Sequence, residues 1–230
     1  MKAIALLGGP NISWPIDIKD KLVKAREKGT FIIGVDRGSL LLEELNLTPD
    51  LAVGDFDSLK KEELLRINQS VSDIRYSVPE KDLTDTELAL HYAFDDYCVD
   101  SLSLIGATGG RLDHFLTNLF MLLKPEFRQY AEKVQIIDQQ NYISFLNPGK
   151  HVVKRIENYT YFGVATLNEV QELNISNAKY NLAGYSNTNP VSLSSNEFLH
   201  KQDTFNVSFK KGLIAVIQSR DLDRFQNIQK

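Results

Sequence analysis

Thr30-Phe31-Ile32-Ile33-Gly34-Val35-Asp36 decides the fold, because it is a compact apolar run that stops on a carboxylate. An apolar run without polar alternation fits a strand covered on both faces. The pattern recurs on either side. Upstream, Ala3 to Leu7 is a second apolar run, stopped by Gly8-Gly9-Pro10, and Ile18 to Lys28 between the two runs reads as an amphipathic helix. Downstream, Ser39 to Leu45 and Lys60 to Ile67 read as helices on either side of a strand, Leu51-Ala52-Val53. Thr84 to Tyr97 is a longer helix, Ser101 to Ile105 a strand, and Asp113 to Leu123 a helix that stops before Pro125. Alternation of this kind predicts a mostly parallel sheet with helices on both faces.

After about Val134 the texture changes. Val134 to Ile137, Tyr142 to Leu146, His151 to Ile156, Tyr159 to Leu167 and Phe205 to Phe209 are short strand-like runs separated by Asn, Gly and Pro, and no long helix is expected there. Lys210-Lys211-Gly212 reads as a hairpin turn between Val207-Ser208-Phe209 and the run Leu213 to Ile217. A β-sandwich or small barrel follows. The expected fold class is α/β, an N-terminal three-layer, mostly parallel sheet domain at 1–140 followed by a C-terminal β-sandwich domain at 141–230. Val134 to Ile137 is open to either side of that boundary.

At 230 residues the chain is too long for one small core, and 43% apolar with 24% charged residues is the balance of a folded globular protein. Thirty acidic against 26 basic residues give a net charge of −4, so nucleic acid and anionic membranes are not expected partners. A polyanionic ligand would need metal ions or a local basic cluster. The single cysteine, Cys98, cannot form an intrachain disulfide, which fits a cytoplasmic location. The apolar run after Met1 is below the length of a signal peptide core, about 7–15 residues, and no run approaches the roughly 18 residues of a membrane span.

Carboxylates gather at the strand ends: Asp36, Asp55, Asp57, Asp82, Asp85 and Asp113. The C-terminal edge of an open α/β sheet is where ligands bind. In Asp55-Phe56-Asp57 an extended chain sends both carboxylates to one side, a repulsive arrangement that a divalent cation such as Mg²⁺ makes favourable. The bland alternative is that Asp57 caps a helix beginning near Ser58 and Asp55 merely completes a turn. Thr84 and Glu87 have capping-box spacing, with Asp85 in the first turn, and Lys81 and Asp82 crowd the same helix entrance. Gly106-Ala107-Thr108-Gly109-Gly110 joins a strand to a helix and leaves amides open to phosphate, although neither a P-loop nor a dinucleotide fingerprint is present. Arg111 offers a charge-assisted fork, Asp113 is either a substrate ligand or an N-cap, and His114 is read as a packing residue. Gly9, in the turn after the first strand, lies at the same edge.

Taken in order, Gly34-Val35-Asp36-Arg37-Gly38, the segment Pro49 to Ser58, Lys81-Asp82-Leu83-Thr84-Asp85 and the segment Gly106 to His114 resemble the motif set of thiamine pyrophosphokinases. A looser match runs through Lys179 to Leu182 and Ser194 to Glu197. The resemblance implies transfer of a pyrophosphoryl group from Mg-ATP to the hydroxyl of thiamine, with release of AMP. It implies Asp55, Asp57 and Asp85 as Mg²⁺ ligands and Asp36 close to the metal or the thiamine hydroxyl. Gly9, Lys81, Asp82, Thr84, Arg111 and Asp113 would serve ATP or substrate in the same cleft. It also implies a homodimer with thiamine between subunits, met by Ser195 and Asn196 of the sandwich. Thiamine is a flat cation that favours an aromatic face, and Tyr180 is the residue expected to supply it, unless that ring fills the sandwich core. The competing readings are a pyrophosphokinase for another alcohol, such as a hydroxymethylpterin, and a non-catalytic nucleotide or thiamine sensor.

Overall fold

The computed structural model describes residues 1–77 and 83–222. Lys81 and Asp82 lie outside the described residues. The chain divides into two compact units, Met1–Gln139 and Gln140–Lys230.

The first unit is built on six parallel strands: β1 (Lys2–Leu6), β2 (Phe31–Val35), β3 (Leu51–Gly54), β4 (Ile74–Tyr76), β5 (Ser101–Ile105) and β6 (Val134–Ile137). Their spatial order is β6-β5-β1-β2-β3-β4. Ile32, Ile33 and Val35 of β2 and all of β3 are buried, so both faces are covered, which explains why these strands read as continuous apolar runs. Helix α1 (Ile18–Glu27) and helix α2 (Arg37–Glu44) bring Leu22 and Leu42 against Leu6, Ile32 and Ile105. Helix α3 (Lys61–Ser70) brings Ile67 against Ala52 and Phe56. Val134–Ile137 pairs in parallel with β5 and so belongs to this sheet.

Helix α4 (Asp85–His91) is shorter than its periodicity suggests, because the helix widens into a π turn over Tyr92–Asp96. Helix α5 (Leu112–Phe120) tightens into a 3₁₀ turn at Met121–Leu123, and Pro125 opens the short helix α6 (Pro125–Arg128), as expected of a residue that cannot continue a helix but suits the first turn of the next. Strand β4 was not anticipated. It has only three residues, and its central Arg75 is exposed enough to pair with Asp73 and Asp96.

The second unit consists of two antiparallel four-stranded sheets. One has the order β12-β9-β14-β7, with β7 (Asn141–Leu146), β9 (Tyr161–Thr166), β12 (Val191–Glu197) and β14 (Ile214–Ser219). The other has the order β11-β10-β13-β8, with β8 (Gly149–Lys154), β10 (Val170–Ser176), β11 (Leu182–Asn187) and β13 (Thr204–Phe209). Inward residues alternate with outward ones, as in Phe205, Val207 and Phe209 against Thr204, Asn206 and Ser208. Phe162 of one sheet stacks on Phe205 of the other with centroids 3.8 Å apart.

The expected hairpin at Lys210-Lys211-Gly212 is not a hairpin. Strand β13 pairs with β8 and β10, whereas β14 pairs with β7 and β9, so the turn carries the chain from one sheet to the other. Strand β10 and the turn before it pin the crossing, since Lys210 N donates to Gln171 O at 2.8 Å and Leu213 N to Asn168 Oδ1 at 2.7 Å. None of the described helices is long and apolar enough to cross a membrane.

Candidate active site

Strand order reverses at β1, which has β2 on one side and β5 on the other, and ligands of open α/β sheets bind beyond the strand ends at such a reversal. A cleft of about 770 Å³ lies there. Its walls are the loop Leu7–Pro10, the turn Val35–Arg37, Ser58, the start of α4 from Thr84 to Thr86, the loop Gly106–Arg111, and His114, Thr117 and Asn118 of α5. The two glycine loops touch: Gly9 N donates to Gly106 O at 3.1 Å. A Cβ on Gly9 would sit 2.1 Å from that oxygen, so any larger residue would pry the loops apart. Trp14 braces the first of these loops by donating Nε1–H to Gly9 O at 3.1 Å.

Asp36 occupies the sharp turn between β2 and α2. Its φ of 47° and ψ of −121° fall where glycine is normally required, a strain of about 1–3 kcal/mol that the surrounding structure has to hold in place. Close packing behind the turn does so. A Cβ on Gly38 would lie 1.8 Å from Leu6 O, which means α2 rests directly on β1. The result is a carboxylate held at the cleft wall on a rigid bend, with Asp36 N bonded to Val53 O at 2.7 Å and the Ser58 hydroxyl donating to both carboxylate oxygens at 3.2 and 3.0 Å.

Asp36, Asp55 and Asp57 each present a carboxylate oxygen within 4.8 Å of the others. Asp55-Phe56-Asp57 is not extended, because Phe56 has a φ of 57° and Asp57 N donates back to Asp55 Oδ1 at 3.1 Å. The turn nonetheless sends both carboxylates toward Asp36 while Phe56 is buried against Ile67. The capping alternative for Asp57 fails, since α3 begins at Lys61 with Lys60 as its N-cap. Asp85 was expected beside Asp55 and Asp57, yet the close group contains Asp36 in its place. Asp85 is held by Ser77, whose Oγ donates to Asp85 Oδ1 at 2.8 Å.

Burial raises the Asp36 carboxyl above the ordinary aspartate value, against the hydrogen bonds from the Arg37 backbone and Ser58, and the charges of Asp55 and Asp57 push it further. Burial likewise raises Asp85, opposed by the Ser77 hydroxyl and reinforced by Asp55, Asp36 and Asp57. Carboxylates that repel one another at a half-buried cleft wall are the donor set a hard divalent cation fits.

Thr84 caps α4 as its spacing indicated. Its Oγ1 accepts from Glu87 N at 3.3 Å, and Glu87 Oε2 accepts from Thr84 N at 3.0 Å. Glu87 itself is fully buried and is compensated by Lys124 Nζ, 2.7 Å from Oε1. Arg111 is the N-cap of α5, so Asp113 is a first-turn residue and not the cap. The two form a fork, Arg111 Nε and Nη2 donating to the Asp113 carboxylate at 3.1 and 2.5 Å, which holds Asp113 below the usual carboxylate range. Arg111 lines the cleft and Asp113 does not. Arg37, Ser58 and Thr117 also line it without a sequence signal of their own, and His114, expected as a packing residue, is exposed and lines it too.

In the second unit, Tyr180 is 59% exposed, so it does not fill the sandwich core. Asn196 is buried beside it and ties down its backbone, accepting from Tyr180 N at 3.0 Å and donating to Tyr180 O at 2.8 Å. Ser195 has a φ of 63° at the irregularity in the β9–β12 pairing and is exposed. These three residues therefore form one local group, with Asn196 as its buried anchor.

Residues 22–136 match the family model for the thiamin pyrophosphokinase catalytic domain, and residues 150–214 match that for the thiamin pyrophosphokinase vitamin B1 binding domain. A thiamine pyrophosphokinase of Bacillus subtilis is 34% identical over 96% of this chain and 100% of its own. The crystal structure of a thiamin pyrophosphokinase family protein from Enterococcus faecalis superposes with a TM-score of 0.86 at 34% identity, covering 96% of this chain and 100% of that one. The crystal structure of the thiamine pyrophosphokinase from Bacillus subtilis superposes with a TM-score of 0.80 at 32% identity and the same coverage. Similarity that runs the length of both units, on a fold whose strand ends carry the acidic group, leaves one conclusion: the chain belongs to the thiamin pyrophosphokinase family of enzymes.

Proposed function

We propose that the chain transfers the terminal pyrophosphoryl group of Mg-ATP to the hydroxyl of thiamine, giving thiamine pyrophosphate and AMP. The observation that carries this reading is the convergence of Asp36, Asp55 and Asp57 on one another, with Asp36 on the wall of a cleft that the glycine loop Gly106–Gly110 also lines. In the reaction the alcohol oxygen forms a bond to the β-phosphorus, the bond from that phosphorus to the oxygen retained by AMP breaks, and the hydroxyl proton is released to a carboxylate or to water. No covalent enzyme intermediate is required, so the chain's work is positioning and charge compensation.

Asp36, Asp55 and Asp57 would hold a magnesium ion, with Asp85 completing the acidic wall. Bound there, the ion supplies positive charge to the phosphates. The backbone around Gly9 and Gly106–Gly110 admits the phosphate chain closely, and Arg111 exchanges its Asp113 partner for phosphate oxygens. Thr84 fixes the start of α4 and with it Asp85. On the thiamine side, Tyr180 offers an exposed ring to the cationic ligand, Ser195 an exposed hydroxyl, and Asn196 the anchor that orients Tyr180.

A homodimer is part of the same reading. Leu112, Leu116 and Phe120 of α5, spaced along one helix face, are 77%, 45% and 39% exposed, an apolar stripe next to the cleft-lining residues His114 and Thr117. A second copy covering that stripe would bring its own surface to the cleft. The lone cysteine accords with a cytoplasmic location.

The test is incubation of purified protein with Mg-ATP and thiamine, followed by phosphorus-product analysis. Equimolar AMP and thiamine pyrophosphate are expected. Formation of ADP contradicts pyrophosphoryl transfer, turnover of a hydroxymethylpterin instead of thiamine reassigns the acceptor, and binding of both ligands without turnover makes the protein a sensor.

A further inference from the structure

Asp85 stands apart from the close group Asp36, Asp55 and Asp57, and the residue that determines where it points is Ser77. Ser77 directly follows β4, and its backbone amide donates to Gly54 O at 2.9 Å, which fixes it on the residue immediately before Asp55. Its hydroxyl donates to Asp85 Oδ1 at 2.8 Å. One residue therefore ties the end of β3, which carries Asp55 and Asp57, to the first residue of α4. Helix capping does not require that bond, because Thr84 and Glu87 already satisfy the start of α4. Nor does strand pairing, since the ladder bond is made by the Ser77 backbone whatever the side chain. The bond occupies Oδ1 and leaves Asp85 Oδ2 without a hydrogen-bond partner among the described residues.

We propose that Ser77 is a positioning residue for the acidic site, its hydroxyl setting the direction in which Asp85 offers its second oxygen to the group Asp36, Asp55 and Asp57. The proposal rests on the cation-holding function assigned above to that wall. A hydroxyl that holds one carboxylate oxygen removes the rotational freedom the side chain would otherwise lose on binding. Partners one step removed from a metal typically matter at the level of about 10- to 100-fold in affinity or activity.

The test compares Ser77→Ala and Ser77→Thr with the unaltered chain. Calorimetric titration with Mn²⁺ in the presence of a non-hydrolysable ATP analogue is read beside kcat, the thiamine KM and thermal unfolding. Ser77→Ala is expected to weaken Mn²⁺ binding roughly tenfold and to raise the Mg²⁺ concentration for half-maximal turnover by the same factor. The thiamine KM and the unfolding midpoint stay unchanged, and Ser77→Thr, which keeps the hydroxyl, restores the cation response. Unaltered Mn²⁺ affinity in Ser77→Ala overturns the proposal, and so does a shared loss of folding stability in both variants without rescue by threonine. If the unaltered chain binds Mn²⁺ yet leaves thiamine unmodified, the assigned reaction fails, while the Ser77 comparison is still decided by the Mn²⁺ titration alone.

Discussion

The cleft wall of the parallel-sheet unit and the interior of the sandwich unit obey opposite rules. In the sandwich, Phe162, Phe198 and Phe205 pack as a stack with two edge contacts inside an apolar cluster, and the strands alternate inward and outward residues. Where Asp36 meets the cleft, its carboxylate and those of Asp55 and Asp57 lie within 4.8 Å of one another, Asp36 sits on a strained backbone, and burial makes ionisation of Asp36 and Asp85 harder. The first arrangement stabilises the fold and does no chemistry. The second costs stability, which a protein retains only where a ligand or a reaction makes use of it.

Replacing residues on the two sides should therefore give opposite outcomes. The largest expected effect is on the sandwich side. Phe205→Ala removes a fully buried ring and should cost about 3–5 kcal/mol of unfolding free energy by denaturant titration. A loss below about 1 kcal/mol would mean the stack is not what holds the two sheets together. Next comes the cleft. Asp57 is exposed, so Asp57→Asn should leave unfolding within about 0.5 kcal/mol of the unaltered chain while lowering turnover by about 10²–10³-fold. Comparable losses in both quantities would make that carboxylate structural and erase the contrast.

The smallest effect is the most diagnostic of the repulsion itself. Asp36 and Asp85 have folded-state values raised above the ordinary 3.8, so between 3.8 and those raised values the folded chain binds more protons than the unfolded one. Their contribution to stability therefore grows as pH falls through that window and is lost as pH rises through it. In chelator, the melting temperature attributable to these groups should rise on mild acidification, seen as the difference from an Asp36→Asn, Asp85→Asn double variant. Saturating Mg²⁺ at neutral pH should remove that difference, because the cation favours the ionised carboxylates. A difference that is flat with pH, or unaffected by Mg²⁺, would place the repulsion elsewhere.

The same contrast explains what could be read from the residues alone. Strands β2 and β3 were legible because burial on both faces leaves no polar positions in them, β1 and β5 because apolar residues outweigh Lys2, Ser101 and Ser103, and Asp36 and Asp55 because they directly follow β2 and β3. Strand β4 was not, since three residues centred on a charged Arg75 carry no apolar signature. Lys210-Lys211-Gly212 was read as a hairpin because local turn chemistry looks the same whether the next strand pairs with its predecessor or crosses to the facing sheet. Strands β10, β11 and β12 went unnoticed: Asn, Ser and Glu on their outward faces, together with irregular pairing, interrupt the alternation. At the site, the partner that holds Asp85 is a hydroxyl eight residues away in sequence, with no pattern to announce it. Ser58 and Ser77 are ordinary serines until the fold puts them 3.0 and 2.8 Å from a carboxylate oxygen.

The claim on which all of this depends is that carboxylates from separate strand ends converge to hold one divalent cation. Anomalous diffraction from crystals grown with Mn²⁺ and an ATP analogue tests it most directly. The expected result is an anomalous peak within coordination distance of Asp36, Asp55 and Asp57 and in contact with the phosphate oxygens of the analogue. A cation bound away from those three residues, or an analogue bound in the cleft with no cation between it and them, would contradict the account.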